Sequence, residues 1–156
     1  MDPSQLRQYV IRPALSMLQM SSPAAEALLI GTAAQESSLG RYLHQLGSGP
    51  AVGIFQMEPA TYRDIWQNYI RFHPEISKHL ASHWPMEPNA DEMVTDLLLA
   101  AVMCRLHYRR VPAPLPNAED INGLAAYWKK YYNTKAGRGS ESEFIKNWQR
   151  FSQGKN

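Results

Sequence analysis

Glu36 follows a stretch of mostly apolar or small residues, Ala27 to Gln35, in which no other charge occurs. A carboxyl at the margin of such a helix loses solvation when it ionises, and the partial negative charge of a helix C-terminus repels it further, so both effects raise its pKa. A carboxyl kept neutral near about pH 6 to 7 is suited to general acid catalysis. Seventeen residues on comes the string Gly53-Ile54-Phe55-Gln56-Met57-Glu58-Pro59-Ala60-Thr61. Its composition suits a cleft wall: Gly53 lets backbone approach a ligand, Phe55 and Met57 offer apolar surface, Gln56 carries donor and acceptor together, and Pro59 opens a helix.

These two segments together resemble the soluble-type lytic transglycosylases of the lysozyme-like superfamily. The family's motifs are a Glu-Ser pair at a helix end, a Gly-Leu-Met-Gln-x-x-Pro-x-Thr string, and an Ala-Tyr-Asn segment further on. The matching residues are Glu36-Ser37, Gly53 to Thr61 and, more weakly, Ala125-Ala126-Tyr127. The likeness is clearest from Ala33 to Trp66 and returns at Leu124 to Tyr127. Trp128 stands where the family has asparagine, and Lys129-Lys130-Tyr131-Tyr132 replaces a glycine-rich turn. Taken by themselves, the aromatics from Trp128 to Tyr132 read as core packing.

The resemblance implies a mainly α, lysozyme-like (α+β superfamily) fold with at most a rudimentary hairpin. It implies cleavage of the MurNAc-GlcNAc β-1,4 bond of peptidoglycan, leaving 1,6-anhydro-MurNAc ends, with Glu36 as acid and then base. Ser37 and Gln56 would face the sugars, beside Gly53, Phe55 and Met57, and Tyr127 would orient the Glu36 carboxyl through its hydroxyl. Neither metal nor cofactor takes part. A hydrolase of the muramidase kind usually needs a second carboxylate about 5 to 10 Å from the acid. None occurs between Glu36 and Glu58, and Glu58 and Asp64 read more simply as capping or solvated helix residues. The rival outside enzymology is a lysozyme-like domain that holds peptidoglycan or a partner protein without cutting. Such a binder has no need of a desolvated acid.

Other constellations are weaker. Glu75, His79 and His83 fall at successive i, i+4 positions and could share a helix face as metal ligands, but the surrounding segment is polar and no fourth ligand stands near, so a solvated face explains them. Arg109-Arg110 and Lys129-Lys130 lack any nucleic-acid recognition motif, and a net charge of +2 is too mild to argue for nucleic acid, though it suits an anionic wall polymer. Cys104, the single cysteine, lies among Leu97 to Leu106 and reads as a buried, inert thiol.

The elements that must position these groups are helical. A first amphipathic helix is expected over Ser4 to Leu18, kinked or interrupted by Pro13. Ser22 and Pro23 start the buried helix that carries Glu36, with Gly40 as its left-handed stop. Gly47-Ser48-Gly49-Pro50 marks a loop or rudimentary hairpin. Helices follow from Pro59 and Pro74. The pair Asn89 and Glu92 forms a capping box for a core helix running to Arg109, prolines 112, 114 and 116 make a stiff connector, and Asn117 caps the helix bearing Tyr127. Ser140 and Glu143 cap a last helix through Phe151, and a frayed tail runs from Ser152 to Asn156.

With 156 residues, 44% of them hydrophobic, the chain fits one catalytic domain over 1–156. No secretory signal is evident in the first thirty residues, and the longest apolar run is too short to span a bilayer. An enzyme of this kind, made in the cytoplasm but acting on the wall, needs a delivery route. A bacteriophage endolysin released through a holin, or a virion or secretion-apparatus component, would supply one.

Overall fold

Pro13 lacks an N–H and its ring crowds the carbonyl four residues back, so an unbroken α-helix cannot pass through it without adjustment. The computed structural model, which describes residues 1–133 and 137–152, shows the adjustment. Helix α1 (Pro3–Leu6) widens into a π turn over Arg7–Ile11 and returns to α geometry as α2 (Arg12–Met17), the Arg12 N–H reaching back to the Arg7 carbonyl. The extra residue per turn absorbs the clash, so the chain is widened at this point and not stopped.

Helix α3 (Pro23–Ser37) is the central element. The Ser22 hydroxyl accepts from the Ala25 N–H at 3.0 Å, Pro23 occupies the first turn, and Ala27 to Ala34 are all buried. A helix buried on this many sides must admit neighbours closely, and Gly31 shows how: a Cβ there would collide with the ring of Phe144 and press on Trp148. The helix closes at Ser38, left-handed at φ 50°, not at Gly40, although Leu39 and Gly40 continue in the left-handed region. The Leu39 N–H then bonds the Ala33 carbonyl at 3.0 Å, which ties off the helix end earlier than its glycine would.

The segment beyond is a rudimentary hairpin. Isolated antiparallel bridges join His44 to Val52 and Val52 to Met57, with the Gly53 N–H on the Leu43 carbonyl at 2.8 Å. Helices α4 (Pro59–Asn68) and α5 (Pro74–His83) start at their prolines as the sequence predicts. The Asn89–Glu92 capping box is present, but it closes a short 3-10 turn, Ala90–Val94; the core helix α6 (Leu97–Arg109) begins later, where the Asp96 carboxylate accepts from the Leu99 N–H at 2.9 Å. Likewise Asp120, not Asn117, caps α7 (Ile121–Trp128), bonding the Gly123 N–H at 2.9 Å; Asn117 braces the preceding turn through the Glu119 N–H. Helix α8 (Glu141–Asn147) carries the expected Ser140–Glu143 box and runs on as a π turn, Trp148–Ser152. The remainder of the tail expected to fray, 153–156, lies outside the described residues.

The protein is mainly helical with almost no strand. One hydrophobic cluster extends from Leu6 through α3 and α6 to Trp128, Phe144 and Trp148. Among the described residues no helix is long and apolar enough to cross a membrane.

Candidate active site

Glu36 is the last residue but one of α3, and the helices around it decide what its carboxyl meets. Trp128, the last residue of α7, is fully buried, packs its ring on Phe144 at 5.4 Å, and donates its indole N–H to Glu36 Oε1 at 2.8 Å. The Tyr42 hydroxyl, from the loop after α3, donates to the Glu36 backbone carbonyl at 2.9 Å. Burial pushes the carboxyl up to about 7, and the Trp128 N–H, which favours the ionised form, draws it part of the way back. An indole nitrogen can only donate, so Oε1 must accept whichever form Glu36 takes. The proton, when present, therefore resides on Oε2.

The Glu36 charge is also felt by Tyr42, by Cys104 and Tyr108 of α6, and by Tyr132, which continues from α7 in a π turn over Lys129–Asn133. All of these are neutral at pH 7. Tyr132 stacks on Tyr108 at 5.2 Å and donates its hydroxyl to the Phe55 carbonyl at 2.8 Å, hooking the Gly53–Met57 turn to this wall. Tyr108 in turn shares a 2.8 Å hydrogen bond with Thr32, one turn before Glu36 on α3.

Several expectations about the remaining residues are corrected. Tyr127 does not orient Glu36; its hydroxyl donates to the Ala113 carbonyl at 2.9 Å. Adjacent helix residues point about 100° apart, and α7 is docked with Trp128 toward α3 and Tyr127 toward the proline-rich connector. Ser37 does not face a ligand either. It is fully buried, donating to the Ile54 carbonyl at 2.6 Å and accepting from the Gly40 N–H at 2.8 Å, which makes it the clasp between helix and turn.

Gly53, at φ 79°, does permit a close approach, but of protein: a Cβ there would lie 2.7 Å from the Met93 carbonyl oxygen. Phe55 and Met57 are core residues, 1% and 3% exposed, so their apolar surface is spent inside the fold. Gln56 keeps partial exposure, left-handed at φ 47°, with its amide folded onto the Gly53 carbonyl at 2.9 Å.

The two carboxylates considered as partners are both on the surface, and neither is among the groups that shift Glu36. Glu58 is exposed at the start of α4. Asp64, also exposed, is held below the usual carboxylate range by Asn68 and by Arg110, with which it pairs. Among the described residues, burial and Trp128 are what shift the Glu36 carboxyl.

Among the described residues no group of three or more His, Cys, Asp or Glu side chains could hold a metal ion. Lys129 is committed to the Asn133 side chain and the Gly137 carbonyl, at 2.7 and 3.0 Å. Cys104 is buried, and burial pushes its thiol up, away from the reactive thiolate. A polar depression lined by Pro59, Arg63, Asn89 and Glu92 among others does not include Glu36.

Near the end of α6, His107 is another group that burial shifts toward neutrality. Burial, and then the Arg110 charge, hold it down to about 4. Arg110 Nη2 donates to His107 Nδ1 at 2.8 Å, the Tyr131 backbone supplies a second hydrogen bond, and the imidazole meets the Tyr132 ring edge-on at 5.0 Å.

Trp128, Tyr132 and Tyr42 are the members of this site that sequence reasoning missed as functional. For Trp128 and Tyr132 the signal lay in the aromatic run from Trp128 to Tyr132 itself; Tyr42 carried none. No protein-family model matches the chain, and no curated protein or solved structure matches it.

Proposed function

We propose that the chain is a lysozyme-like lytic transglycosylase that cleaves peptidoglycan glycan strands, with Glu36 as its general acid and base. The observation that carries this reading is a carboxyl bound on one oxygen by Trp128 and raised by burial to about 7, with no other carboxylate among the causes of that shift. A group poised near neutral pH can both give and take a proton, and a single-acid route needs both.

Glu36 Oε2–H protonates the glycosidic oxygen between N-acetylmuramic acid and N-acetylglucosamine. The C1–O bond breaks with its electron pair leaving on the glucosamine alcohol, and the acetamido oxygen of the muramic residue supports the cationic C1. The Glu36 carboxylate then takes the proton of the muramic 6-hydroxyl as O6 bonds to C1. A 1,6-anhydro end results, Glu36 is protonated again, and no cofactor is consumed. The substrate places the work at the cell wall, after release through a holin or as part of a virion or secretion apparatus.

The test is digestion of purified peptidoglycan by wild type and Glu36→Gln, with muropeptides identified by mass spectrometry before any reduction step. Anhydro-muropeptides should come from the wild type, and their rate of release should fall by about 10²- to 10⁴-fold in Glu36→Gln. Reducing ends would instead mean a muramidase that recruits a second carboxylate. No release from folded wild type would mean a domain that binds without cutting.

A further inference from the structure

Arg105, in the middle of α6, is only 8% exposed, and its Nε has no hydrogen-bond partner. The ion pairs among the described residues join Arg7 and Arg12 to Glu26 and Arg110 to Asp64, leaving Arg105 without a carboxylate. Its guanidinium rests on no aromatic face either, since the cation–π contacts there belong to Arg71, Lys130 and Arg150. A guanidinium cannot escape burial by losing its proton at any ordinary pH, so this charge stays in the fold with no carboxylate on it among the described residues.

Its surroundings worsen the imbalance. Arg109 follows one turn later on the same face of α6 and repels it, while Tyr127 and Cys104 beside it are held neutral by burial. Two guanidinium groups one turn apart, the inner one without a carboxylate among the described residues, are the arrangement that a planar or tetrahedral oxyanion satisfies at their outer nitrogens with paired, charge-assisted hydrogen bonds.

We propose that Arg105 and Arg109 form a receptor for an oxyanion, a carboxylate or a phosphate, that provides the missing counter-charge. The glycan reading offers one source, the lactyl carboxylate of N-acetylmuramic acid, and free phosphate offers another. The receptor itself stands independently of whether Glu36 cuts a strand.

The experiment is thermal unfolding and calorimetric titration of the full chain at constant ionic strength, with N-acetylmuramic acid, inorganic phosphate and uncharged N-acetylglucosamine as probes. Wild type should gain stability saturably with at least one oxyanion and not with N-acetylglucosamine; whichever oxyanion acts identifies the source. Arg105→Met should unfold at or above the wild-type temperature without anion and should lose the response. Arg109→Gln, an exposed change that leaves the core alone, should bind about tenfold more weakly. The receptor is overturned if no oxyanion stabilises wild type, if Arg105→Met responds as wild type does, or if Arg105→Met is the less stable protein without anion. Anion binding unchanged in Arg109→Gln would likewise overturn the two-arginine site.

Discussion

The last turns of α3 and α6 each bury a titratable side chain in its neutral form, Glu36 in one and His107 in the other, and burial is the first cause of both shifts. They differ in what is left over. His107 is gripped by Arg110 at Nδ1, by the Tyr131 backbone and by the edge of Tyr132, and Arg110 is anchored in turn by Asp64. Among the described residues Glu36 has one side-chain hydrogen bond, at Oε1, and Oε2 has none. A buried polar group satisfied on all sides is architecture, whereas one satisfied on half its atoms keeps a hand free for a substrate.

The contrast is sharpest in the pH dependence of folding, where the two groups act with opposite sign. Folded Glu36 keeps its proton up to about 7, while its unfolded value is the usual 4.5. Its contribution is therefore full below 4.5 and is lost as pH rises through 7. Folded His107 resists its proton down to about 4 against the usual 6.5, so its contribution is full above 6.5 and is lost as pH falls through 4. Each amounts to about 3 kcal/mol at most, and between 4.5 and 6.5 the two slopes nearly cancel.

Urea denaturation across pH 4 to 8 should separate the two regions. In Glu36→Gln the His107 slope should stand alone, with stability rising by about 3 kcal/mol toward neutral pH. In His107→Gln the reverse slope should emerge, stability falling as pH rises past 4.5. Two variants that both parallel the wild type would dissolve the distinction. At pH 8 Glu36→Gln should also be more stable than wild type, because the variant no longer buries a charge.

A smaller effect tests whether the string beside Glu36 is wall or scaffold. Ser37→Ala removes the partner of the Ile54 carbonyl and of the Gly40 N–H inside the core, and should cost about 1–3 kcal/mol of stability. Activity per folded molecule should stay near wild type, and a loss confined to KM would restore Ser37 to the sugar-binding role.

The smallest effect concerns tuning. Trp128→Phe removes the N–H that favours ionised Glu36, so the carboxyl should rise further. Carbon-13 NMR of the carboxyl reads that shift directly, and the alkaline limb of kcat/KM for glycan cleavage should move up with it. An unmoved titration would deny Trp128 its electrostatic part and leave it as packing alone.

Features governed by neighbours in sequence were legible before the fold was known. Ser22 with Pro23, Pro59, Pro74 and the Ser140–Glu143 box start their helices where expected because a cap acts on N–H groups two or three residues away, and because a proline's fixed φ suits the first helical position. Legibility failed where two local solutions competed. Asn89 and Asp96, or Asn117 and Asp120, could each begin a helix, and Ser38 or Gly40 could each end one; packing of the helix body chose between them. Pro13 signalled an irregularity, but the sequence does not distinguish a kink from a π turn.

At the site, the sequence by itself determined that a carboxyl would sit at the end of an apolar helix, because hydrophobic patterning fixes what is buried without reference to partners. Tertiary structure decided everything that depends on the rotation of one element against another. A turn of about 100° in α7 separates Trp128 on Glu36 from Tyr127 on Ala113, and the seating of the Gly53 turn against Met93 and Tyr132 placed Phe55, Met57 and Ser37 inside. Arg105 belongs to the same class: its composition-level neighbours gave no sign of an unpaired charge, since only the packed helices determine which carboxylates come within reach.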